Sequence, residues 1–278
     1  MSENPTPLPD FAKPPLIEVV LSIQFDALQG LGVSLLGLLW ARYKDRFPKT
    51  EEHAPLPTVT ETFGVRPDQR VEVSFEMLEA PPAPRLWFLT EAGDKLIQVQ
   101  KNRFIHNWRK LVEDREYPRY THIREGFVRE LSAFEEFLQR EGIGQLVPNQ
   151  CEVTYVNHLE SGKGWERHGQ LDEALAVWSS RLSDDFLPEP EDARFAVRYV
   201  IPDDQGNPAG RLHVSLQPAF RRADTKAILT LELTARGRPL SEGVEGALQF
   251  LDLGHEWVVR GFTSITTTPM HRLWERRE

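Results

Sequence analysis

Alternation of apolar and polar residues, repeated in one short segment after another, is what most constrains this chain. In residues 16–26, LIEVVLSIQFD, the side chains of Ile17, Val19, Leu21, Ile23 and Phe25 share one face, and those of Glu18, Val20, Ser22, Gln24 and Asp26 share the other, because successive strand residues point to opposite sides. The same parity separates Val71/Val73/Phe75 from Glu72/Ser74/Glu76, and Phe195/Val197/Tyr199 from Arg194/Ala196/Arg198. It recurs in Leu212/Val214/Leu216 against His213/Ser215/Gln217, and in Leu229/Leu231/Leu233 against Thr230/Glu232/Thr234. Strands of this kind build an antiparallel sheet with one face in a core and the other wet. A lipid or steroid cavity on that second face would need it to be apolar. A DNA saddle would need it free of Glu18, Asp26, Glu72, Glu76, Glu152, Glu160 and Glu232, which place negative charge where phosphates must lie.

The strands alternate with helical periods. Residues 32–48 carry Val33, Leu36, Trp40 and Tyr43 at helical spacing and stop at Pro48, and residues 121–141 repeat the pattern with Phe127, Leu131, Phe134 and Leu138. Between them, VTETFG, residues 70–77, residues 85–91 and the run 95–108 read as strands separated by turn residues. The second half follows the same order: a strand from Pro148, a short helix in LDEALAVWSSRL, strands at 193–201, 211–218 and 227–235, and a last helix capped by Ser241. Laying Pro14 on Pro148 places Glu18 on Glu152, Val19 on Val153 and Asp26 on Glu160, and laying Phe127 on Val244 places Leu138 on His255. The expected fold is therefore α+β, with two pseudo-repeated halves of strand, helix, antiparallel strands and helix, in the helix-grip or TATA-binding-protein-like order. The curved sheet would carry its helices on one face. Residues 1–15, with five prolines, form a tail, 16–147 the first half and 148–278 the second, packed as one globular unit.

Charge and cysteine content narrow the function classes. Thirty-three Lys/Arg against 42 Asp/Glu give a net charge of −9, which argues against a generic coat for nucleic acid or anionic membrane. The lone Cys151 removes a disulfide framework and fits a reducing, cytoplasmic setting, as does the absence of an apolar leader or of a long apolar run.

Motifs for chemistry are sparse. Gly30-Leu31-Gly32 lacks the third glycine of a dinucleotide turn, SGKG lacks the rest of a phosphate loop, and the eight histidines show no metal-ligand spacing. No nucleophile elbow exists, so no catalytic residue, cofactor or metal is expected. Glu18, Glu152, His158 and His255 remain as candidates for a polar pocket at the junction of the halves, with His255 facing the core or its edge. The strongest anomaly is KNRFIHNWRKLVEDREYPRYTHIR, residues 101–124, with seven Lys/Arg against three acids and aromatics interleaved. Arg103, His106, Trp108, Arg109, Lys110, Tyr117, Arg119 and Tyr120 are its candidate contact residues for a protein or a nucleic acid; a core-plugging Trp108 is the bland alternative.

PPLIEVVLSIQFD near the start, NRFIHNWRK and YPRY in the centre, and TTTPMHRLWE at the end resemble a sporadically distributed bacterial family of similar length that has no assigned function. The resemblance spans nearly the whole chain and implies no activity or catalytic residue. A patchy distribution is similar to that of toxin-antitoxin or phage-defence accessory proteins. The function expected first is thus non-enzymatic binding of a protein partner or of a second copy. A nucleic-acid binder acting through residues 101–124, and an enzyme or small-ligand binder at the junction of the halves, are the alternatives.

Overall fold

A computed structural model describes residues 7–64, 83–112, 116–179, 182–184 and 186–277. The elements in chain order are β1 (Asp10–Phe11), β2 (Leu16–Phe25), α1 (Val33–Tyr43), β3 (Lys49–His53), β4 (Arg85–Leu89), β5 (Lys95–Gln100), β6 (Arg103–Arg109) and α2 (Arg119–Arg140). Then come β7 (Pro148–Glu160), α3 (Leu171–Ala174), β8 (Phe195–Pro202), β9 (Pro208–Phe220), β10 (Ala227–Gly237), α4 (Gly243–Ile265), α5 (Thr268–Leu273) and β11 (Arg276–Arg277). Among the described residues nine strands form one antiparallel sheet in the order β3-β4-β5-β6-β2-β7-β10-β9-β8, and β1 pairs with β11 apart from it. The two longest-range neighbours, β2 and β7, meet at its centre with Val20 opposite Thr154.

Parity along each strand fixes which side is core. One row across the sheet runs Phe88, Ile97, His106, Leu21, Val153, Ala235 and Leu212, and every member is buried. The helices lie on this face: α4 packs on β7, β10 and β9, α2 on β6, and α1 on β4. Phe134 of α2 stacks on Phe104 at 5.4 Å, and Tyr43 of α1 stacks on Phe88 at 5.8 Å. Gly254 lets α4 approach closely, since a Cβ there would lie 3.2 Å from both Val153 and Ala235. The buried stripe of α1 is Leu36, Leu39 and Tyr43, while Val33 is exposed.

The opposite face is polar but not bare. Residues 54–64 cross it as an extended strap rather than as the strand expected for VTETFG. Gln100, Arg103, Gln24 and Gln150 form one row over β5, β6, β2 and β7, and their side chains take the strap's backbone in turn. Gln100 accepts from Leu56 N–H (2.9 Å) and donates to Leu56 C=O (3.0 Å); Gln24 accepts from Val59 N–H (3.0 Å) and donates to Val59 C=O (3.1 Å). Arg103 donates to Pro57 C=O (3.1 Å), and Gln150 accepts from Glu61 N–H (3.0 Å). Side-chain amides thus replace a neighbouring strand, which is how a backbone with no ladder meets its hydrogen-bonding needs.

Other expectations shift at element ends. The run 95–108 is a hairpin, β5 and β6, turning at Lys101-Asn102. LDEALAVWSSRL keeps only the one-turn α3, because Leu175 leaves the helix to bridge Thr266. Ser241 is not the cap of α4: its hydroxyl donates to Gln249 at 3.2 Å, and the chain enters through Glu242 and a left-handed Gly243. The strand expected at 70–77, with Glu72 and Glu76, lies outside the described residues.

Candidate functional site

Over the centre of the sheet, between the start of α2 and the middle of α4, the core face leaves a cavity of about 250 Å³. Tyr155 of β7 makes its floor. This residue is the hydroxyl-bearing member of the row Trp108, Val19, Tyr155, Leu233 and Val214, so its ring is buried among aliphatic and aromatic neighbours. Its hydroxyl is 2.8 Å from the Tyr117 hydroxyl and 2.9 Å from His255 Nδ1. Tyr120 lies flat on the His255 imidazole, with centroids 3.8 Å apart and planes within 7°. Apolar walls come from Leu8, Phe11, Leu16, Leu233, Val258 and Phe262.

Ion pairs sit at the rim and hold the walls together. Tyr120 O–H donates to Asp252 of α4 (2.9 Å), which Arg124 of α2 clasps through Nε (2.6 Å) and a terminal nitrogen (2.8 Å). Arg119, at the start of α2, has φ of 71°, a conformation that costs about 1–2 kcal/mol for a residue with a Cβ. It donates from there to the Asp10 carboxylate and to Phe11 C=O, which draws residues 8–11 across the cavity as a wall. Arg277 binds the other Asp10 oxygen at 2.9 Å.

Burial keeps the floor uncharged. It lowers His255 to about 4, with Asp252 opposing weakly, and pushes Tyr117 up to about 12 against the Tyr155 hydrogen bond. Burial also raises Tyr155 well above the ordinary phenol range, and raises Tyr120 with help from Asp252. At neutral pH the site therefore presents a neutral imidazole and three neutral phenols, Tyr117, Tyr120 and Tyr155. Tyr117, Tyr155 and His255 form a chain that can run in either sense, with the proton order set by the imidazole tautomer.

Of the pocket residues expected from sequence, His255 alone is here. Glu18, Glu152 and His158 lie across the sheet on the polar face, because they share the opposite parity. Glu18 accepts from Asn107 at 2.7 Å and has its pKa raised by burial. Glu152 pairs with Arg236, and His158 is half-buried, with its pKa lowered by burial and by Arg221. Although β2 and β7 adjoin, Glu18 stands opposite Val156 and Glu152 opposite Ser22, so the two carboxylates do not form a pair. Glu61 of the strap joins Glu152 in a cluster with Arg211, His213 and Arg236. Burial pushes the Glu61 carboxyl up, and Arg211 and His213 more than offset it.

The described candidates in the segment 101–124 lie in separate surroundings. Arg103 is buried under the strap, where it binds Gln24 at 2.6 Å. His106 is buried against Gly126 of α2, and desolvation lowers it to about 3. Trp108 is a core plug, 2% exposed, with its ring on Tyr117. Arg109 donates to Gly93 C=O at 2.8 Å and lies over Trp87, and Lys110 is half-buried, its backbone N–H donating to Ile17 C=O at 2.7 Å. Tyr117, Arg119 and Tyr120 belong to the cavity. Sequence reasoning missed Tyr155, Phe11 and the Asp252–Arg124 pair. The available signal was that Tyr155 and His255 both occupy core-facing positions, where a polar group needs a partner.

Among the described residues no group of His, Cys, Asp and Glu could hold a metal ion, and no helix is long and apolar enough to cross a membrane. Searches of family models, curated proteins and solved structures give no match to this chain.

Proposed function

We propose that this chain is a binding protein whose site is the cavity over β2 and β7, with a small molecule as its ligand. The observation that carries the reading is an apolar enclosure that ends on one connected polar group, the Tyr117–Tyr155–His255 chain; a few convergent polar groups in an otherwise apolar concavity are what a ligand site requires. The expectation against an apolar ligand concerned the polar face of the sheet, whereas this cavity lies on the helix side. The fold is read as two related halves, which the meeting of β2 and β7 and the mirrored strand orders β2-β6-β5-β4-β3 and β7-β10-β9-β8 support. On that reading the site stands at the junction of the halves. The family resemblance and a cytoplasmic setting for the buried thiol of Cys151 are kept as part of the proposal.

A fragment library screened by protein-observed NMR, against wild type and Val259→Trp, tests the site. Val259 lines the cavity and is half-buried, so the indole fills space without entering the packed core. Hits that shift Tyr155 and His255 resonances and vanish in the variant are expected. A hit set unchanged by the variant, or none at these resonances, contradicts the reading.

A second reading, binding of a protein partner or a second copy, rests on β8. This strand exposes Tyr199 and Val200, and its outer edge, unpaired among the described residues, can accept another strand. The other edge, β3, carries Lys49, Glu51 and Glu52 and is protected by charge. Light scattering that gives a monomer, with or without genomic neighbours, removes this second reading.

A further inference from the structure

We infer that the ligand of this cavity is uncharged, a ring or short apolar body bearing one hydroxyl or carbonyl that meets the Tyr117 hydroxyl. This rests on the proposal that the cavity is the binding site, and it names the chemistry of the occupant.

The argument starts from charge. The ionic groups at the rim are engaged with one another: Arg119 and Arg277 share Asp10, and Arg124 holds Asp252. Arg119 holds Asp10 and Phe11 C=O through one terminal nitrogen, so an anion could meet its remaining N–H groups only where the guanidinium is 39% exposed and screened by water, away from the neutral floor. A cation would find no carboxylate on the floor, and the face of Tyr120 is already covered by His255. Moving either ion out of water without a partner is costly. The floor itself holds neutral groups.

Hydrogen-bond capacity then sets the head group. In one order Tyr117 O–H donates to Tyr155 and Tyr155 O–H donates to His255 Nδ1, leaving the Tyr117 oxygen to accept from a ligand hydroxyl. In the other, His255 Nδ1–H donates to Tyr155 and Tyr155 O–H donates to Tyr117, so Tyr117 O–H is free to donate to a ligand carbonyl. The two orders interconvert by a shift of imidazole tautomer, with no change of net charge. A hydroxyl suits either order, and a carbonyl selects the second. Asn157, also in the lining, gives one amide N–H to Leu231 C=O at 3.2 Å and keeps its second N–H as a further neutral donor. Most of the remaining wall is Leu8, Phe11, Leu16, Leu233, Val258 and Phe262, with Thr121 and Asn157 as neutral polar members, so the body of the ligand is mainly apolar. The volume of about 250 Å³ is at the small end for ligand sites, which limits that body to about one ring.

Four probes with the same ring and different heads decide it: benzyl alcohol, acetophenone, benzoate and benzylamine, titrated by NMR at pH 7 into the full chain labelled with ¹⁵N-histidine. Benzyl alcohol and acetophenone are expected to bind at least tenfold tighter than the two ions. Acetophenone is expected to drive His255 to the Nδ1–H tautomer, a spectroscopic signature that a purely structural histidine would not give. Tyr117→Phe is expected to weaken acetophenone about tenfold while leaving the fold, judged by the spectrum, intact. Tighter binding of benzoate or benzylamine overturns the uncharged class and leaves the site standing. Failure of all four, with no fragment hit either, overturns the site as well. Acetophenone binding with no change of tautomer, or with no loss in Tyr117→Phe, overturns the assigned head-group contact.

Discussion

At the scale of residues, burial holds His106 and His255 in the neutral form. His106 sits in the apolar row between Ile97 and Leu21, and His255 under Tyr120. Burial lowers them to about 3 and about 4 from an ordinary 6.5. Above pH 6.5 both are neutral in folded and unfolded chains, so they add no pH dependence. As pH falls from 6.5 toward 4, the unfolded chain takes up protons that the folded chain refuses, and stability falls with it. The expected loss between pH 7 and pH 5 is on the order of 1–2 kcal/mol per histidine. Urea unfolding at the two pH values measures it, and His106→Gln should reduce the difference. An identical difference in wild type and variant would show that His106 is not held neutral by burial.

Among the elements, the strap is the piece whose fixing depends on few groups. Residues 54–64 have no strand partner among the described residues, and Gln24 alone supplies two of their backbone hydrogen bonds, both at Val59. Gln24→Leu is expected to leave the β2 core row intact, because Val19, Leu21, Ile23 and Phe25 point the other way, and to release the strap. Hydrogen exchange reads this directly: protection at Val59 and Leu56 falls by an order of magnitude or more, while β2, β6 and β7 amides keep theirs. Retained protection at Val59 would mean that Glu61, with Arg211 and His213, is enough to hold the strap. This element also shows where legibility ended. The alternation of VTETFG has the right period for a strand, but period says nothing about whether a neighbouring strand or a row of glutamines satisfies the backbone. Parity, by contrast, transferred well: Val19 to Phe25, Leu212 to Leu216 and Leu229 to Leu233 are all on the faces their alternation assigns. The segment 101–124 misled because composition counts Arg103, Trp108 and Tyr117 together, while strand parity sends Arg103 under the strap and Trp108 into the core.

For the molecule as a whole, one sheet separates two different environments. The polar face carries the strap and the Glu61–Arg211–His213–Arg236 cluster, while on the helix face α2, α4 and residues 8–11 surround a cavity over Tyr155. The alternation of the sequence offered a polar pocket only as an alternative to a protein interface, with His255 among its candidates, and could not tell that Glu18, Glu152 and His158 lie on the far side of the sheet from His255. That needs the pairing of β2 with β7, which joins residues far apart in the chain. The most direct test of the central claim is mass spectrometry of small molecules retained by the folded protein after incubation with a bacterial metabolite extract, comparing wild type with the cavity-filling Val259→Trp. The account predicts a retained compound that is small, uncharged and apolar-bodied in wild type and depleted in the variant. Equal retention by both proteins would contradict it.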